Sequence, residues 1–200
     1  MKTTYFAVML LLTLAVACNP AAKKDKKEKI AENAGISKKT IDNDRLIVPG
    51  KQIGAIYLGQ DMKAVFDLLG KADEGDAAMG SALGIWKKDS LAIFSSYRDS
   101  NMVVKAVKQI SSASSSFNTA EQIHTGVKLA QLTAVWPALK KVTAYLNEKT
   151  GDTLQVYDDI AAGIAFDVQK GLCTTITVHT KNKAVNSSYL SLHPGWKNIQ

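Results

Sequence analysis

The chain has 200 residues, 46% hydrophobic and 22% charged, with a formal charge of +7 and a mean hydropathy of −0.05. That balance rules out a wholly disordered chain and a polytopic membrane protein, and leaves room for one or two domains with a real core. Two cysteines, Cys18 and Cys173, cannot build a disulfide-rich scaffold, and three histidines argue against a metal enzyme built on histidine clusters.

Residues 1–17 read as a signal peptide. Lys2 supplies the positive start, and Tyr5 to Ala17 form an apolar run of 13 residues. As a helix that run rises only about 20 Å, short of the roughly 30 Å hydrocarbon core. An ordinary signal peptide cut near Ala17 would leave Cys18 incidental. The sequence Leu14-Ala15-Val16-Ala17-Cys18, however, resembles the lipobox of bacterial lipoproteins. The resemblance implies cleavage between Ala17 and Cys18, attachment of a diacylglycerol to the Cys18 thiol, and a place in the bacterial cell envelope facing the periplasm or the exterior. Two or more acyl chains anchor a protein stably where one does not.

Residues 18–45 are expected to form a lipidated cysteine and a flexible tether. Residues 19–45 hold eight basic and five acidic side chains, centred on Lys23-Lys24-Asp25-Lys26-Lys27-Glu28-Lys29, and almost no large apolar residue before Leu46. Such a segment cannot bury enough surface to offset chain entropy. Fully extended it reaches at most about 90 Å. The positive charge does not point to nucleic acid. The remaining residues, 46–200, carry only three more basic than acidic groups and no basic block, and arginine occurs only at Arg45 and Arg98. Anionic headgroups beside the anchor suit the lysines better.

In the folded part, apolar residues recur at a spacing of 67 positions: Ile56 with Ile123, Met62 with Leu129, Val65 with Leu132, Leu68 with Val135, Leu69 with Trp136. Gly59 and Gly126 keep the same spacing, as do the breakers Gly70 and Pro137. The pattern predicts two tandem repeats, 46–111 and 117–200, joined by a serine-rich linker at 112–116. Each opens with an extended segment and a glycine turn, followed by a short amphipathic helix with an apolar stripe. Asp61 is the expected N-cap of the first helix and Gly70 its stop.

Period-2 alternation then predicts strands at Ala82–Lys87, Leu91–Tyr97 and Met102–Ile110, the last two joined by the turn Asp99-Ser100-Asn101. In the second half, Ile164–Val168 and Leu172–Val178 read as a hairpin across Gln169-Lys170-Gly171. Pro137–Lys149 is ambiguous, because Leu139, Val142 and Leu146 suit a helix while Val142, Ala144 and Leu146 also alternate. The expected fold is α+β: two units, each of one or two short helices on an antiparallel sheet. That arrangement is similar to the beta-lactamase inhibitory proteins and to small outer-membrane lipoproteins of the BamE/SmpA type. The disulfides that brace the inhibitory proteins have no counterpart, since Cys173 is the one cysteine of the domain; this departure argues against a lactamase-inhibiting role.

Catalytic patterns are missing: there is no Gly-x-Ser-x-Gly, no phosphate-binding loop, no His-Glu-x-x-His and no Cys-x-x-Cys. Cys173 and His179 fall on one face of the same expected strand, but six residues separate them by roughly 20 Å, too far for a nucleophile–base pair. Cys173 is expected to be an inert strand residue. Asp73, Glu74 and Asp76 read as a solvated turn rather than a calcium loop, and Asp158-Asp159 as a turn between strands. Trp136 lies on the helical stripe and belongs to the core; Trp86 and Trp196 are the candidate contacts with a partner. The expectation is a non-catalytic, membrane-anchored lipoprotein, without cofactor or metal, that binds a protein or envelope component. The alternative is an envelope enzyme or small-ligand carrier using the cleft between the repeats.

Overall fold

The computed structural model describes residues 43–188 and 192–199. Ala17, Cys18 and nearly all of the expected tether lie outside the described residues.

The first strands are short. β1 (Leu46–Val48), β2 (Gln52–Ile53) and β3 (Ile56–Tyr57) make an antiparallel set, and β8 (Asn118–Thr119) adds to β1 in parallel, giving the order β3-β2-β1-β8. Gly59, at φ 82°, turns the chain into helix α1 (Met62–Leu69). Asp61 Oδ1 accepts the Lys63 N–H at 2.9 Å, and Gly70, at φ 76°, ends the helix with its N–H on the Phe66 carbonyl. Both local signals act as the sequence leads one to expect.

Four strands follow α1: β4 (Glu74–Ala78), β5 (Ser81–Trp86), β6 (Leu91–Tyr97) and β7 (Lys105–Ser112). Gly126, at φ 94°, leads to helix α2 (Leu129–Val135), where Gln131 Oε1 accepts the Lys128 N–H at 3.0 Å. Four more strands follow: β9 (Lys140–Leu146), β10 (Thr153–Asp159), β11 (Ile164–Gln169) and β12 (Leu172–His179). Last comes β13 (Lys197–Asn198). All nine form one antiparallel sheet in the order β13-β9-β10-β11-β12-β7-β6-β5-β4.

The expected α+β pair of units is therefore corrected: the protein is mainly β. Two helices of eight and seven residues are too short to make a layer of their own. The ambiguous stretch Pro137–Lys149 contains strand β9, because its backbone groups pair with β10. The sheets of the two halves join at the centre, where β7 and β12 pair and set Ile110 against Val178. Ser111 and Ser112 lie in β7, with Ser112 paired to both Leu91 and Ile176.

One face of the large sheet carries the main core. Val65 from α1, Leu132 from α2, and Ile93, Ile110, Phe166 and Ile176 from the strands are all 0% exposed within a single cluster. Each such side chain contributes about 1.5–3 kcal/mol by leaving water. The opposite face carries two smaller clusters, around Tyr145, Leu154 and Val156 and around Leu83 and Phe94; the C-terminal residue Leu192 packs on both.

Candidate functional site

A wide opening lies beside α1, at the end of the sheet. Strand β4 has one neighbour, β5, and no strand beyond it among the described residues. Gly75 pairs with Gly84 and Ala77 with Ala82, so four helix-facing positions on two adjacent strands carry at most a methyl group. Close packing demands two of these glycines. A Cβ at Gly75 would stand 2.7 Å from the Leu83 carbonyl oxygen, and one at Gly84 would stand 2.8 Å from the Trp86 ring. Beyond these contacts the small side chains of Ala77 and Ala82 leave an open groove of about 620 Å³ between α1 and the strands.

Trp86 backs this groove. Its side chain is 2% exposed, its ring lies 6.0 Å from that of Phe66, and its Nε1–H donates to the Gly70 carbonyl at 3.0 Å. The indole is thus fixed at both ends. Phe66, by contrast, is 47% exposed and stands at the rim, while the buried Met62 lines the groove. The groove is apolar in its depth and charged at its border. Glu74 accepts an ion-paired hydrogen bond from Lys87, which together with its charge holds that ammonium above its ordinary pKa.

The carboxylates read as a turn are instead placed on and next to an edge strand. Asp73 Oδ2 accepts the Lys87 N–H at 2.7 Å and Asp76 Oδ1 accepts the Ala77 N–H at 2.8 Å. Among the described residues no group of three acidic, histidine or cysteine side chains converges to hold a metal. Trp196 is half-buried and packs against the cluster of Tyr145 and Val156, on the opposite face from Trp86.

Cys173 is 2% exposed in the main core. Burial, with Asp167 nearby as a lesser cause, pushes its thiol up to about 12, and its Sγ–H points at the Thr175 carbonyl at 3.5 Å. The thiolate needed for nucleophilic chemistry is therefore disfavoured. The expectation that Cys173 and His179 share a face is overturned by a bulge. Val168 pairs with Cys173 and Asp167 with Thr175, so Thr174 is the extra residue that reverses the alternation. His179 belongs to the other face, where its Nε2 lies 2.9 Å from Asp158 Oδ1. His124 and His193 are likewise engaged elsewhere, with the Thr125 carbonyl and with Asp167.

Asp158-Asp159, read as a solvated turn, ends strand β10 and is buried. Asp158 needs two partners, and it has them in His179 and in the Val185 N–H at 2.8 Å. Sequence reading also missed the groove. Its signal was small residues at alternate positions of two neighbouring strands, close to an exposed helical phenylalanine.

No family model matches the chain, and no curated protein matches it. Among solved structures it is similar to a cysteine-rich secretory protein from Staphylococcus aureus subsp. aureus Mu50, with a TM-score of 0.40 and 13% identity. That match covers 66% of this chain and 46% of the other.

Proposed function

We propose that the chain is a lipid-anchored envelope protein, non-catalytic, whose folded part binds a partner protein through an extended segment laid along β4. The observation that carries this reading is the apolar groove lying directly beside a sheet edge that no further strand covers among the described residues. An edge strand offers a row of backbone donors and acceptors, and a neighbouring pocket accepts alternate side chains of the added strand; this is the mode of β-augmentation. The border charges Glu74, Asp76 and Lys87 disfavour pairing between two copies of the same edge. Residue Cys18, with its lipobox-like surroundings, supports the anchor, and the lysine-rich tether supports a position near a membrane surface.

Site-specific photo-crosslinking in intact cells tests the binding mode. A photoreactive residue at Ala77 should give one defined adduct that maps to an extended apolar segment. The same group at Thr150, at a distant turn, should give none, and Phe66→Asp should abolish the Ala77 adduct. Equal crosslinking at both positions, or indifference to Phe66→Asp, overturns the edge-binding reading. Mass spectrometry of the N-terminal peptide tests the anchor: a bare Cys18 thiol in the mature protein overturns it.

A further inference from the structure

On the other face of the sheet a second opening of about 420 Å³ lies between the ends of β6 and β7 and the residues after β12. It falls within the roughly 300–1,000 Å³ of small-molecule sites. Arg98, Lys108 and Lys183 line it, together with Ser81, Ser96 and Thr180, and no acidic residue does so among the described residues. None of the three cations forms an ion pair among the described residues. Arg98 spends one N–H on the Gly59 carbonyl at 3.4 Å, which leaves most of its five donors.

A bulge builds this basin. Phe94 pairs with Gln109 and Ser95 with Val107, so Lys108 is the extra residue of β7. Val107 keeps its place in the main core, and the bulge lets two successive residues, Lys108 and Gln109, line the basin together. Gln109 is 5% exposed; its Nε2–H donates to the Val185 carbonyl at 2.7 Å, and its Oε1 has no hydrogen-bond partner among the described residues. The Val185 carbonyl fixes this orientation, since a flipped amide would set oxygen against oxygen. Asp158, behind His179, is spent on His179 and Val185. Among the described residues the basin therefore presents three cations without an ion pair and one buried acceptor that lacks a donor, beside Phe94 and Tyr97.

We infer that this basin binds an anionic sugar: its carboxylate or phosphate meets Arg98, Lys108 and Lys183, a hydroxyl donates to Gln109 Oε1, and the ring lies against Phe94 and Tyr97. Charge-assisted bonds supply the affinity and the buried acceptor selects for a hydroxyl. Calorimetric titration of the full-length protein with glucuronate, glucose 6-phosphate, glucose and inorganic phosphate tests it, the first two separating a carboxylate from a phosphate source. At least one sugar anion should bind roughly tenfold or more tightly than either glucose or inorganic phosphate, with affinity falling as salt rises. The double variant Lys108→Glu/Lys183→Glu should lose that binding while its urea midpoint stays near that of the parent. Failure of both sugar anions to bind, equal binding of inorganic phosphate, or binding unchanged in the double variant overturns the inference.

Discussion

The two ends of the large sheet are built from similar parts and finished differently. At one end, β9 would be the edge, but β13 pairs with it through Lys197–Leu146 and Asn198–Tyr145, and Lys197 bridges to Glu148 at 2.9 Å. The neighbouring helix, α2, runs into Trp136, whose ring packs 5.0 Å from that of the fully buried Phe166. At the other end, α1 faces Gly75, Ala77, Ala82 and Gly84, and β4 has no strand outside it among the described residues. Large side chains close one corner into core, and their absence leaves the other as a groove. An available surface in this fold is thus a matter of side-chain volume at a few strand positions.

The closed corner should be the more fragile to truncation. Phe166→Ala is expected to cost about 3–5 kcal/mol in urea denaturation, since the ring is removed from a fully packed site. The covered face should respond next. Asp158→Ala leaves the Val185 N–H and His179 without their acceptor and should cost about 3 kcal/mol, with faster amide exchange at Val185. At the open corner, Gly84→Ala brings a methyl group against the Trp86 ring and should cost about 1–3 kcal/mol, read with a change in tryptophan fluorescence.

Cys173 gives a pH-dependent comparison. Well below pH 9 the thiol is neutral in both the folded and the unfolded chain. As pH rises from the ordinary value of 9.0 toward about 12, the unfolded chain ionises first, so stability falls. By pH 10 the parent should have lost about 1.4 kcal/mol more than Cys173→Ala does over the same range. Native protein at pH 8 should also resist thiol-specific reagents that label it in urea. The smallest effect on folding belongs to the groove rim. Phe66→Asp should cost only about 1 kcal/mol, from its half-buried ring and its contact with Trp86, while removing the crosslink at Ala77. A large loss of stability would mark Phe66 as a core residue and weaken the contrast between the two corners.

Helix α1 was legible because its instructions are local: a cap at Asp61, a stripe at Met62 and Val65, and a glycine stop, all within ten residues. The hairpin of β11 and β12 was legible for the same reason. Strand β9 was not, since Val142 fits both periods and only the β10 ladder decides between them. Asp158 was misread because its partner, His179, is 21 residues away, and a buried acid looks like a solvated one until that partner is known. The face of Cys173 was misread because the bulge at Thr174 leaves no trace in the hydrophobic pattern.

By itself, then, the chain's residue order determined the short-range features: the extent of α1, five of the longer strands, the glycine turns, and the core placement of Trp136. Only the tertiary structure decided that β7 and β12 join, that β13 covers one edge while β4 has no outer neighbour among the described residues, and that Lys108 and Gln109 line one basin. The physical reason is range. Caps, turns and periodicity are settled by neighbours a few residues apart, whereas strand partners, bulges and buried ion pairs are settled by which distant groups must satisfy one another once water has been excluded.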